Sequence, residues 1–188
     1  MKPIESTFRK TIGSYPLREI RLFQVNDHYF HYPTRKFWLI DGGVELVFGH
    51  TTYSLAWNPN FGGFTFANKG FEEIYTEENF KVLETIEFLN SPAKRVEQAQ
   101  FKWNEIEVIQ DYTMATKMEV FLEELFLNFG KNESLQIAGI DYDLEPESGP
   151  VNFVYDVGGE LLVSFNHPYE IIRPDNPTDP WLENTNFS

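Results

Sequence analysis

Cysteine is absent from the 188-residue chain, which excludes disulfides, thiolate metal sites and cysteine nucleophiles together. Basic residues are few. Fifteen Lys and Arg stand against twenty-nine Asp and Glu, a net charge of −14. A nucleic-acid binder draws most of its affinity from neutralising phosphates, so direct nucleic-acid binding is not expected. Long apolar runs are missing too, and Phe37-Trp38-Leu39-Ile40 falls far short of the roughly 20 residues a membrane-spanning helix needs. The opening MKPIESTFRKTIGSYPLREI has no continuous apolar stretch of the signal-peptide kind, so a cytoplasmic protein without membrane association is expected. The glycine pairs Gly42-Gly43, Gly62-Gly63 and Gly158-Gly159 form neither G-x-G-x-x-G nor a P-loop, and no G-x-S-x-G or H-E-x-x-H occurs. No cofactor is expected.

Aromatic residues are plentiful: eighteen Phe, nine Tyr and four Trp. That content is far too apolar for a disordered chain and is enough for one real core. Apolar and polar residues alternate through Arg18–Val25, Lys81–Phe88 and Trp103–Ile109, the period-2 sign of half-buried strands. Three apolar pairs separated by polar, Gly-bearing turns predict β-hairpins at 44–57, 125–138 and 151–165, with Phe48, Trp57, Phe129, Ile137, Phe153 and Val163 facing a core. Ser91-Pro92 followed by the good helix formers Ala93–Gln100 predicts a short helix. Spacing leaves 114–124 open between helix and strand. The expected fold is α+β, predominantly antiparallel β, with repeated β-hairpins and one or two short helices. It forms a single domain over 1–172, followed by an arm over 173–188 whose prolines at 174, 177 and 180 bar regular structure.

Constellations for chemistry are incomplete. Asp141-Tyr142-Asp143-Leu144-Glu145 resembles the first half of a calcium loop, but Pro146 and Asn152 stand where such a loop needs glycine and a bidentate glutamate. His28 and His31 lack the further ligands of a metal site, so none is expected. Glu45, Glu105 and Glu107 lie on predicted strands and are the carboxylates that a glycosidase-like cleft would have to draw on.

Charge is unevenly spread. Residues 1–40 carry a net +4, 41–131 a net −8 and 132–188 a net −10. Glu72, Glu73, Glu77 and Glu78 flank Tyr75, and Asp141, Asp143 and Glu145 flank Tyr142. Carboxylates speed and orient an encounter with a basic protein, while aromatics supply buried anchors. These nine residues are the expected partner-binding set of a non-catalytic acidic domain. An immunity protein that neutralises a basic toxin is the role such chemistry brings to mind. The alternatives are a carbohydrate- or small-ligand-binding domain with Trp38, Trp57, Trp103 or Trp181 as a platform, and, behind it, a small hydrolase without a familiar motif.

Overall fold

Alternation of apolar and polar residues organises the chain into strands that each bury one face. The computed structural model describes residues 2–26, 30–32, 36–77, 79–87, 94–110, 115–145 and 149–173. They form a helix, α1 (Pro3–Ser14), a short 3-10 turn (Phe71–Glu73) and twelve strands. The first seven strands are β1 (Leu17–Gln24), β2 (Phe30–Tyr32), β3 (Phe37–Ile40), β4 (Gly43–Phe48), β5 (Thr51–Asn58), β6 (Gly63–Ala67) and β7 (Lys81–Glu87). The remaining five are β8 (Gln98–Gln110), β9 (Ala115–Gly130), β10 (Glu133–Glu145), β11 (Gly149–Tyr155) and β12 (Glu160–Phe165). Strand order is β6-β5-β4-β1-β7 in the first sheet and β2-β3-β12-β10-β9-β8 in the second, with β11 also on β10. Every pair is antiparallel. The α+β, predominantly antiparallel fold is as the sequence implies.

Ile20, Leu22, Val44, Leu46, Phe48 and Leu55 of the first sheet share one core with Ile40, Leu125, Leu127, Leu135, Ile137, Leu161 and Val163 of the second. Phe48, Ile137, Phe153 and Val163 are buried as expected, while Trp57 and Phe129 are half-buried against that core. The helix seals the sandwich along β8. Pro3 suits its first turn, and Ile4, Phe8 and Ile12 recur every four residues on one face. The Phe8 ring stands edge-on to Phe48, Tyr53, Phe66 and Phe101 at 4.9–5.6 Å. Arg9 Nη1 donates to the Ala99 carbonyl at 2.9 Å, covering part of the β8 edge.

Two expectations change and one open span is resolved. Residues 94–100 are not helical: Lys94 bridges to Leu17, and β8 begins at Gln98 opposite Asn128. Pairing with β9 overrides helix propensity there. Residues 115–124, left open by spacing, are strand; residues 91–93 and 114 lie outside the described residues. Hairpins form at β4–β5 and β9–β10, the latter turning through Gly130, Lys131 and Asn132, all at positive φ.

The pairing at 151–165 is no hairpin, because β11 and β12 each pair with β10 and not with one another. They take opposite edges of it. Asp156 N donates to the Gly139 carbonyl, whereas Gly159 abuts the Ile140 carbonyl, and successive carbonyls point to opposite sides of a strand. The link 156–159 therefore passes across β10 at Gly139, where a Cβ would meet the Asp156 carbonyl oxygen at 2.6 Å. Val157 O then accepts a hydrogen bond from Phe64 N of β6 at 3.2 Å, joining the two sheets.

Because β11 takes that edge of β10, β9 must leave it. Their pairing stops at Glu124 opposite Ala138, and a bulge at Glu123 marks the departure. Beyond it β8 and β9 continue as a two-stranded ribbon from Trp103–Leu122 to Gln110–Ala115. The second sheet thus forks into this ribbon and the β10–β11 hairpin. Residues 174–188 of the expected arm lie outside the described residues.

Candidate functional site

The chain passes from the second sheet to the first through Asp41 and Gly42, between β3 and β4. The Asp41 carboxylate accepts Val25 N at 2.8 Å and Asn26 N at 3.1 Å, tying the end of β1 to the end of β3. Gly42 permits the close approach, since a Cβ there would lie 2.5 Å from the Phe23 carbonyl oxygen.

The Asp41 charge acts on a buried phenol, Tyr75, and on a half-buried carboxyl, Glu160. The Tyr75 hydroxyl lies 3.1 Å from Glu77 Oε2 and 2.8 Å from Asn79 Oδ1. Burial, the Glu77 acceptor and charge, and the charge of Asp41 push this phenol up to about 12. Burial also raises the Glu160 carboxyl above the usual range; the Tyr142 hydroxyl, donating at 3.2 Å, opposes that rise, and the charges of Asp41 and Asp141 add to it. Asp41 is thus within electrostatic reach of Tyr75, which bonds Glu77, and of Glu160, which the charge of Asp141 also reaches, so Glu77 and Asp141 share one neighbourhood.

Glu72, Glu73, Glu77, Asp141, Asp143 and Glu145 are exposed, and Glu78 lies outside the described residues. The expected aromatic anchors are placed differently. Tyr75 is 2% exposed and belongs to a small apolar cluster with Phe23, Ala56, Phe71 and Ile74 on the outer face of the first sheet. Tyr142 is half-buried against Phe153. The apolar side chain that these segments offer to water is Leu144, at 64% exposure.

Glu45 is buried on that same outer face. Its Oε1 accepts Arg21 Nη1 at 2.7 Å and its Oε2 accepts Phe71 N at 2.9 Å. Arg21 stands directly opposite Glu45 in the β1–β4 register, so the pair is a cross-strand ion pair. A groove of about 830 Å³ opens beside it, lined also by His50, Lys69, Glu72 and Glu73. Glu105 sits instead on β8, paired with Lys2 at 3.2 Å, and the Glu107 side chain lies outside the described residues. Glu45 and Glu105 therefore do not face each other across a cleft. Among the described residues no three His, Asp or Glu side chains are placed to hold a metal. His28 lies outside them, as does the side chain of His31.

The tryptophans are packed. Trp38 stands edge-on to Phe165, Trp57 edge-on to Phe64, and Trp103 lies parallel to Phe101 at 6.0 Å. All three are half-buried against the core, and Trp181 is outside the described residues.

A polar network at the fork has no counterpart among the sequence expectations. Lys102 Nζ lies 2.6 Å from both Glu124 Oε2 and the Tyr155 hydroxyl, and that hydroxyl bonds Glu124. Burial, reinforced by Glu124 and opposed by Lys102, pushes the Tyr155 phenol up to about 12. Gln136 Nε2 donates to Glu124 Oε1 at 2.9 Å. The signal for it is polar residues at outward positions of adjacent strands, readable only once register is known. No helix among the described residues is long and apolar enough to cross a membrane. Comparison with family models, curated proteins and solved structures finds no match to this chain.

Proposed function

We propose that this chain is a non-catalytic binding domain whose acidic surface engages a basic protein. The observation that carries the reading is that six carboxylates of segments 72–77 and 141–145 face water, with Glu77 and Asp141 near Asp41, where like charge adds its repulsion to the burial that hinders ionisation of Glu160. A cationic partner relieves that repulsion and is steered toward it from a distance. Leu144 supplies the apolar contact that Tyr75 and Tyr142 do not. Neutralising a basic partner, in the manner of a toxin-immunity protein, is the role this chemistry fits.

The test is association kinetics with a partner captured from lysate of the source cells. The on-rate is expected to fall roughly tenfold or more between low and physiological salt. Glu77→Lys, Asp141→Lys and Asp143→Lys together should slow association, and Leu144→Ala should speed dissociation. Binding indifferent to salt and to these reversals defeats the reading. A small polar ligand in the groove beside Arg21 and Glu45 is the second reading, favoured by the polar rim of His50, Lys69, Glu72 and Glu73. Its test is calorimetric titration with anionic and neutral sugars.

A further inference from the structure

After β12 the chain turns at Asn166, whose φ is +57° and whose side chain accepts Ser134 N at 2.8 Å. Residues 167–173 then cross the outer face of the second sheet as a strap. Tyr169 seats edge-on against Phe37 at 5.1 Å and Phe153 at 5.5 Å. The Gln136 side chain reads the strap's backbone at two points, accepting Tyr169 N at 2.7 Å and donating to Tyr169 O at 2.9 Å. Further along, Ile172 N donates to Phe153 O at 2.9 Å and Ile172 O accepts Tyr155 N at 3.1 Å, adding a parallel bridge to the edge of β11 away from β10. The Arg173 guanidinium ends in the fork, paired with Glu123 in the β9 bulge.

We propose that this surface is a docking seat for an extended peptide, filled in the free protein by the chain's own strap. The occupant in the complex is a partner segment of the same chemistry: an aromatic residue, an aliphatic one two positions on, and an arginine two positions after that. Backbone pairing to a sheet edge with spaced side-chain pockets is the physics of strand addition. Burial is lopsided in the way a receptor and its ligand are. Gln136 is 3% exposed and Glu123 2%, whereas Ile172 and Arg173 of the strap face water. Tyr169 and Ile171 pack on the apolar face of the seat, while Ile172 uses its backbone and turns its side chain to water. Glu123 is a buried carboxylate whose counterion comes from the strap, so any replacement must bring a cation. A second groove of about 610 Å³, lined by Lys36, Asn152, Phe153 and His167, runs beside Tyr169 and gives an incoming segment a place to start.

The probe is a labelled peptide with the strap's sequence, Asn-His-Pro-Tyr-Glu-Ile-Ile-Arg, added to the full chain and followed by fluorescence polarisation. In the wild type the tethered strap competes at an effective concentration of about millimolar, so the peptide binds weakly. Ile172→Pro removes the donor to Phe153 O and should tighten peptide binding tenfold or more. Adding Glu123→Gln to that variant, or changing the peptide's arginine to glutamate, should undo the gain. Equal binding by all proteins and peptides overturns the seat. A concentration-dependent dimer of the wild type that the peptide dissolves makes a second copy's strap the occupant and overturns the partner assignment. Hydrogen exchange on the wild type needs no variant to fold. The Ile172 amide should exchange at least a hundredfold faster than that of Ile137, and exchange of the two together overturns a displaceable strap.

Discussion

Glu160 illustrates how one side chain near Asp41 couples folding to pH. Burial is the main reason its carboxyl holds a proton more tightly in the fold than in the unfolded chain, and Asp41 and Asp141 add to the effect. The native state therefore binds more protons through this window. Stability falls as pH rises from the ordinary glutamate value near ~4.3 through the raised native value. Glu160→Gln keeps an acceptor for the Tyr142 hydroxyl and removes the ionisation. Its melting temperature should exceed that of the wild type at pH 7 and converge on it near pH 4. Thermal melts across that range check the point, and a difference constant with pH would count against it. Exposure of the carboxylates around this residue was legible in the sequence as runs of Glu and Asp. Burial of Tyr75 was not, because the 3-10 turn at Phe71–Glu73 that seats it packs on Phe23 and Ala56 from distant strands. The Arg21–Glu45 pair was hidden for the same reason: alternation gives each residue a face but not its neighbour across the strand gap.

Among the elements, α1 makes the densest aromatic contact through one residue. Phe8 is fully buried and touches four rings, two of them on the first sheet's hairpin β4–β5 and one on β8 of the second sheet. Phe8→Ala should destabilise the protein by about 3–5 kcal/mol, measured by urea unfolding with an unchanged denaturant slope. A loss within ~1 kcal/mol would mean the helix is only loosely docked. The strands were readable because alternation in β1, β4 and β7 is regular. The helix is faint in the sequence because only Ile4, Phe8 and Ile12 mark its buried face among charged and hydroxyl neighbours. Gly158-Gly159 looked like a hairpin turn for a sound chemical reason, since glycine does permit a tight reversal. Here it permits something else. A Cβ on Gly159 would sit 2.1 Å from the Ile140 carbonyl oxygen, so the residue is small because the chain passes close against β10. Turn chemistry names the residue type without naming which edge the next strand will join.

For the molecule as a whole, a net charge of −14 sets self-repulsion against a shared core. Raising salt shortens the Debye length from about 30 Å at 0.01 M to about 3 Å at 1 M. The melting temperature should therefore climb with added sodium chloride at pH 7. A fall would mean that ion pairs such as Lys102–Glu124 outweigh the general repulsion. The β3–β12 pairing has a consequence of another kind, in the order of events during synthesis. Trp38 lies opposite Val163 and Ile40 opposite Leu161, so β3 joins the second sheet through a strand made much later. At about 5–20 residues per second, the roughly 120 residues between them keep β3 waiting on the order of ten seconds on the ribosome. During that interval its Phe37-Trp38-Leu39-Ile40 run has only the three-residue β2 beside it, and a nascent chain of this protein offers chaperones a binding segment that the finished fold conceals.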